Sequence, residues 1–246
     1  LDLLLEKLIR QKIQARLGGK LKYFISGGAA LNPEIGSFFM ALGVKLLQGY
    51  GQTEASPVIS ANRPGKIKIE TVGPPVAGVE VRFADDGEIL VRGDLLMKGY
   101  WRDDHSTAAT IRDGWLYTGD IGSCDDDGYI TITGRKKEII VNSGGENIVP
   151  SRVEALLTIE PEIEQALVDG DRRPWLAAVI VPSAEARAAA ASDEALKLLI
   201  AETVERANSR LSQIERVRRF IIADEGFTTE NSQLTATLKV RRHVVR

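Results

Sequence analysis

The sequence predicts a parallel α/β unit joined to a small antiparallel sheet or barrel, followed by a compact α+β domain. Three observations carry that prediction. Twenty-one of the 23 glycines lie in residues 1–145 and only Gly170 and Gly226 come later, so a loop-rich first part gives way to longer uninterrupted elements. Residues 21–51 run strand, loop, helix, strand, loop, the order of a parallel α/β unit. Residues 70–132 hold short apolar runs separated by turn residues, the pattern of antiparallel hairpins. The change of character places a junction at 134–138, with one unit over residues 1–134 and the other over 139–246.

The elements follow in chain order. Leu1–Leu17 reads as an amphipathic helix through Leu4, Leu8, Ile9, Ile13 and Leu17, stopped by Gly18-Gly19. Neither a cap residue nor an initiator Met precedes it, so the chain is expected to begin inside a longer domain. Leu21–Ile25 is a strand, then Ser26-Gly27-Gly28 a turn. Pro33–Leu42 is a helix with Asn32 as N-cap and Pro33 in its first position. Val44–Gln48 is a strand ending at Gly49-Tyr50-Gly51. Val79–Phe83, Glu88–Val91, Ile121–Cys124 and Tyr129–Thr133 are short strands, with hairpin turns at Asp85-Asp86-Gly87 and Asp126-Asp127-Gly128. Beyond the junction come a helix over Val153–Thr158, strands over Ile163–Asp169 and Trp175–Val181, helix over Ala184–Leu211 broken near Ser192, and a strand over Val217–Ile222.

Composition narrows the function classes. Hydrophobic residues make 43% and charged residues 27%, which excludes a disordered, collagenous or coiled-coil chain. No apolar run approaches the ~18 residues that a membrane span needs, and no signal peptide opens the chain. A peripheral membrane contact stays compatible with the sequence. Cys124 is the only cysteine, so no internal disulfide forms and a reducing, cytoplasmic setting is expected. With His105 and His243 the only histidines, a zinc site is not expected. A net charge of -2 argues against nucleic acid as the main partner.

Three segments place small residues and an acid or hydroxyl after a strand: Ser26-Gly27-Gly28-Ala29-Ala30, Gly49-Tyr50-Gly51-Gln52-Thr53-Glu54, and Tyr117-Thr118-Gly119-Asp120. Glycine lets a flat ligand approach the backbone. A Thr hydroxyl bonds phosphate oxygens, Glu suits Mg²⁺, and Asp accepts the hydroxyls of a ribose. Together they describe a nucleotide pocket at the C-terminal ends of parallel strands. Each alone equally describes a Gly-rich turn with a capping acid.

Tyr50-Gly51-Gln52-Thr53-Glu54, Tyr117-Thr118-Gly119-Asp120 and Gly134-Arg135-Lys136-Lys137-Glu138, in that order, resemble three core motifs of the adenylate-forming (ANL) superfamily. That superfamily holds acyl-CoA synthetases, luciferases and peptide-synthetase adenylation domains. Ser143-Gly144-Gly145-Glu146-Asn147-Ile148 resembles the acyl-CoA synthetase form of the next loop. The segment from Leu234 to Arg242 resembles the terminal lysine motif in its long-chain fatty acyl form.

The resemblance implies the end of a large adenylating domain, a hinge over 135–138, and a small mobile domain over 139–246. It implies a long-chain fatty acid–CoA ligase using ATP, Mg²⁺ and coenzyme A. A fatty acid carboxylate attacks the α-phosphate to give acyl-AMP and pyrophosphate, and the coenzyme A thiol then displaces AMP. Residue by residue, it places Thr53 on the α-phosphate, Glu54 on Mg²⁺, Tyr50 against adenine between Gly49 and Gly51, and Ser26, Gly27, Gly28 and Ala29 along that pocket. Asp120 and Arg135 would grip the ribose. Lys239 would bridge carboxylate and α-phosphate oxygens, Gly144 and Gly145 would line the pantetheine path, and Glu138 would stand at the hinge. Two departures follow. The family's Ser/Thr/Gly-rich phosphate loop is not in this sequence, so the chain by itself is expected not to turn over, and Glu138 replaces the usual Asp. An acyl-AMP ligase that passes its acyl group to a carrier protein, and a non-catalytic nucleotide-binding fragment, remain alternatives.

Overall fold

A computed structural model describes residues 9–29 and 31–245, so Leu1–Leu8 of the expected first helix, Ala30 and Arg246 lie outside the described residues. The chain divides into two compact units, residues 1–136 and 137–246.

In the first unit, helix α1 (Gln11–Arg16) ends where Gly18 and Gly19 take positive φ. Strand β1 (Phe24–Ser26) runs parallel to β2 (Leu46–Tyr50), pairing Ser26 with Gln48. Helix α2 (Pro33–Ala41) connects them; the Asn32 carboxamide oxygen accepts the Glu34 and Ile35 amides and Pro33 occupies the first turn, as the sequence predicts. The short β3 (Ser60–Ala61) pairs antiparallel with β2.

An antiparallel sheet follows. Its strands are β4 (Glu80–Phe83), β5 (Glu88–Arg92), β6 (Ile111–Arg112), β7 (Trp115–Cys124) and β8 (Ile130–Arg135). They are ordered β4-β5-β7-β6, with β8 also on β7. Tyr50, Ile59, Ile89, Val91, Leu116 and Ile130 form its buried core. Helix α3 (Asp104–Thr110) was not expected from sequence; Asp103 caps it by accepting the Ser106 amide.

Gly49-Tyr50 and Tyr117-Thr118-Gly119-Asp120 are not loops but belong to β2 and β7. The glycines that suggested loops mark a bulge and close approaches instead. Along β7 the pairing with β5 slips, so two steps from Glu88 to Leu90 oppose four from Ile121 back to Tyr117. Gly119 sits at φ +71 inside that bulge, a conformation that disfavours any Cβ.

In the second unit, β9 (Ile140–Val141) and β10 (Asn147–Ile148) form a hairpin. Helix α4 (Pro150–Thr158) leads to a sheet of β11 (Ile163–Asp169), β12 (Leu176–Pro182) and β13 (Val217–Ile222). The parallel β12–β13 pair is joined by α5 (Ala184–Ala189) and α6 (Asp193–Asn208), the crossover such a pair requires. The expected break near Ser192 is real: its hydroxyl caps α6 by accepting the Ala195 amide. Val153, Leu157, Val168, Ile180, Ile200 and Val204 fill the core between helices and sheet. The chain closes with α7 (Arg242–Val245).

Candidate active site

Within the first unit, Ser26 and Gln48–Tyr50 end two neighbouring parallel strands, so the two Gly-rich segments emerge from the same carboxyl edge. That edge is where open α/β sheets receive ligands. Gly27 lies against it: a Cβ there would sit 3.4 Å from the Gly49 carbonyl oxygen. Gly51 is fixed more tightly, since a Cβ would meet the Pro57 carbonyl oxygen at 1.6 Å. Gly28 takes φ +84 in the turn that leads to Ala29.

Asp120 is the centre of the arrangement. It is 6% exposed, yet both carboxylate oxygens are engaged. Oδ1 accepts Arg135 Nε at 2.7 Å and Oδ2 accepts the Tyr50 hydroxyl at 2.7 Å. The bulge at Gly119 turns Asp120 inward, and register sets it opposite Arg135 on β8. Thr118 Oγ1 braces the turn by accepting the Asp120 amide and donating to the Ile89 carbonyl. Burial pushes the Tyr50 phenol well up and the Asp120 charge adds to it, so Tyr50 stays protonated and donates. Its ring, 9% exposed, belongs to the core cluster. The Tyr50 ring thus packs against the core while its hydroxyl holds Asp120.

Thr53 and Glu54 lie on a 3₁₀ turn (Thr53–Ala55) directly after β2. Thr53 is exposed. Glu54 is half-buried; its Oε1 accepts the Tyr100 hydroxyl at 2.8 Å and its carbonyl accepts the Met97 amide. Between them and Tyr50, Gln52 Nε2 is buried without a hydrogen-bond partner. A buried donor left unmatched costs about 1–3 kcal/mol, so it marks a place where an incoming acceptor is favoured. The residues fit a nucleotide with a hard cation: an oxygen donor at Glu54, an unsatisfied donor at Gln52 and a buried acceptor at Asp120.

A second layer was invisible in the sequence. Glu88, 6% exposed, accepts the Gly119 amide on one oxygen and Lys136 Nζ at 2.8 Å on the other, and Lys136 also pairs with Asp86. The Asp85-Asp86-Gly87 turn announced a hairpin but not this role.

Within the second unit, Gly144 and Gly145 form the β9–β10 turn, with Gly145 at φ +83. Asn142, which sequence reasoning passed over, shapes it: Oδ1 accepts the Gly144 and Glu146 amides and Nδ2 donates to Glu146. Lys239 is exposed on a tight turn in which its amide donates to Thr235 Oγ1 and its carbonyl accepts the Thr235 amide. Glu138 forms an ion pair with Arg242 at 3.4 Å. Among the described residues no group of three or more His, Cys, Asp or Glu converges as a metal cluster, and no helix is long and apolar enough to cross a membrane.

The model of the AMP-binding enzyme family matches residues 1–101, and that of the AMP-binding enzyme C-terminal domain matches residues 137–245. This chain belongs to the AMP-binding enzymes. The second match begins at the boundary between the two units, and Asp120 and Arg135 lie in the stretch between the two matches. The chain is 42% identical to the long-chain-fatty-acid–CoA ligase FadD15 of Mycobacterium bovis, over 98% of this chain and 42% of that protein. It is 35% identical to the long-chain-fatty-acid–[acyl-carrier-protein] ligase AEE15 of Arabidopsis thaliana, over all of this chain and 37% of that protein. It thus spans about two fifths of the curated relatives it matches. The A-PCP didomain of a carboxylic acid reductase from Segniliparus rugosus, solved with AMP, superimposes with a TM-score of 0.81 at 28% identity, over 96% of this chain and 35% of that one. The AMP-binding fold expected from the sequence motifs is therefore the fold observed.

Proposed function

We propose that this chain is part of a long-chain fatty acid–CoA ligase that activates a fatty acid carboxylate with ATP and passes the acyl group to coenzyme A. The observation that carries the reading is the convergence of three sequence motifs on one carboxylate: Tyr50 and Arg135, 85 positions apart, both bond Asp120. A buried carboxylate held this way accepts the hydroxyls of a ribose without reorganising, and Arg135 supplies a neighbouring cation. Thr53 meets the α-phosphate from the exposed turn, and the Gln52 amide finds its acceptor in the same ligand. Glu54 would hold Mg²⁺, which when bound neutralises phosphate charge. Lys239 serves the first step as the cation between carboxylate and α-phosphate, and the Asn142-shaped turn at Gly144-Gly145 serves the second. The protein positions and neutralises; it supplies no covalent nucleophile.

Lys239 and the Gly144-Gly145 turn serve different steps, so the second unit turns about residues 135–138 between them. The relatives include ligases of coenzyme A and of acyl-carrier protein, and the short Gly-Gly turn favours the narrow pantetheine of free coenzyme A. The single exposed Cys124 fits a cytoplasmic setting. The test is oleate-dependent exchange of pyrophosphate into ATP by the full-length protein, followed by coenzyme A-dependent loss of the acyl-adenylate. Exchange without oleate, or thioester formation that survives Asp120→Ala, would refute the reading.

A further inference from the structure

The second unit holds a buried charged cluster that the chemistry above does not use. Arg242 is the first residue of α7, three positions after Lys239. Its guanidinium reaches three separate elements. Nη2 donates to Glu154 Oε2 on α4 at 2.6 Å, Nη1 donates to the Val168 carbonyl on β11 at 3.2 Å, and Nε pairs with Glu138 at 3.4 Å. Glu154 is itself fixed, because its Oε1 accepts the Val168 amide at 2.7 Å. The Arg242 and Glu154 side chains are 14% and 16% exposed.

Lys239 stands in contrast. Its own bonds are local: Leu234 bridges Val240, the Arg241 amide donates to the Gln233 carbonyl, and Leu238 takes φ +60. The turn joins the domain on its N-terminal side, where the Leu234 amide donates to the Thr228 carbonyl and its side chain packs against the Leu167, Val181 and Phe227 cluster. Among the described residues, the C-terminal side of the turn, which carries Lys239, has no such anchor until Arg242. Arg242 is the nearest following residue whose side chain reaches the helix and the sheet.

We infer that Arg242 is a positioning residue for Lys239, fastening the lysine turn to α4, β11 and Glu138 so that the ammonium is presented at a fixed place. The inference rests on the proposed role of Lys239 in acyl-adenylate formation. A rigid fork with three partners suits the task, whereas an ammonium with one partner leaves the turn free to shift by an ångström or more. Such a misplacement costs ~10–10²-fold in rate. The effect belongs to the step that uses Lys239 and to no other.

The experiment uses the full-length protein and measures the two half-reactions separately: pyrophosphate exchange with oleate, and thioester formation from supplied oleoyl-AMP. Arg242→Lys is expected to slow exchange at least ~10-fold and to leave thioester formation within about twofold. Because removing Arg242 alone strands the buried Glu154, the pair Arg242→Gln with Glu154→Gln is measured beside it, each checked by thermal unfolding. In a Lys239→Ala background Arg242→Lys is expected to have no further effect on exchange, since it acts only through that lysine. Equal loss of both half-reactions, or full additivity with Lys239→Ala, would show a merely structural role and overturn the inference. A wild type that exchanges no pyrophosphate would overturn the functional reading, and this inference with it. Exchange lost in Lys239→Ala but retained in both Arg242 variants would overturn the inference alone.

Discussion

The two units hold their candidate site residues in different ways. In the first, Asp120 and Glu88 are built into strands, each 6% exposed and each satisfied on both oxygens by side chains or amides from other elements. In the second, Lys239 and Gly144-Gly145 sit on exposed turns shaped by short-range bonds and tied to the domain beside them, by Arg242 for the first and by the Ser143 amide on the Arg173 carbonyl for the second. Geometry in the first unit is set by folding itself, so ligand recognition and stability share the same bonds. In the second unit the Lys239 side chain and the Gly144-Gly145 turn stand clear of the core, so they can be changed without loosening the fold, while Arg242 carries the link to it. A site that must hold one nucleotide throughout suits the first design, and groups that serve alternate steps suit the second.

The largest expected effect breaks function in the second unit without touching its fold. Lys239→Ala removes one charge-stabilising donor, which costs ~10²–10³ in the rate of acyl-adenylate formation, about 3–4 kcal/mol. Thioester formation from supplied acyl-AMP and the urea midpoint should both stay put, because an exposed side chain carries little stability. A shifted midpoint would mean the turn is not separable as argued.

The same test on the first unit should give the other outcome. Asp120→Asn leaves Tyr50 and Arg135 competing for one neutral oxygen. Hydrogen bonds to charged groups contribute about 1.5–3 kcal/mol, so AMP affinity measured by calorimetry should fall ~10–10²-fold. The urea midpoint should fall too, by less than a fully buried ion pair would give, because the Arg135 side chain is 50% exposed. Weakened AMP binding at unchanged stability would contradict the shared-bond argument.

A smaller effect sharpens the comparison inside the second unit. Asn142→Ala removes the oxygen that accepts two amides of the Gly144-Gly145 turn. Those donors are exposed and find water, so the stability cost is about 1 kcal/mol or less. The coenzyme A step should slow several-fold while pyrophosphate exchange holds. Loss of exchange instead would place the turn in the wrong half-reaction.

What the sequence disclosed follows the same divide. The α2 cap, the Gly18-Gly19 stop, the Asp-Asp-Gly hairpins and the Ser192 break were legible because each is set by residues within a few positions. Tyr117–Asp120 reads as a loop because Gly119 punctuates it locally, while the bulge that needs Gly119 exists only against β5. Helix α3 carries no apolar period; Asp103 three residues before Ser106 was its one signal. Glu88 beneath Gly119, Tyr100 on Glu54 and Arg242 on Glu154 join residues 31, 46 and 88 positions apart, which no local pattern announces. Asn142 lay in plain view beside the Gly-Gly turn, since Asn before such a turn commonly accepts its amides.

The smallest expected effect concerns acid. In the first unit Lys136 holds the Asp86 carboxyl below its usual range, the Ser106 amide does the same for Asp103, and Lys68 for Asp125. Each lowered group adds stability that is present above the unfolded pKa of ~3.9 and is lost as pH falls through the folded value. In the second unit burial raises the Glu154 carboxyl, with Arg242 and the Val168 amide opposing. Its contribution has the other sign: it is present below the unfolded pKa of ~4.3 and is lost as pH rises through the folded value. Glu230, lowered by its own turn, follows the first unit's pattern and only partly offsets this. As pH falls from 6 toward 3, amides of β7 and β8 should therefore lose hydrogen-exchange protection before those of β11 and β12. The aspartates are exposed and screened, so 0.5 M salt should shrink the gap. Equal loss in both sheets, or loss in β11 and β12 first, would show that the two units do not differ in the electrostatics that hold them.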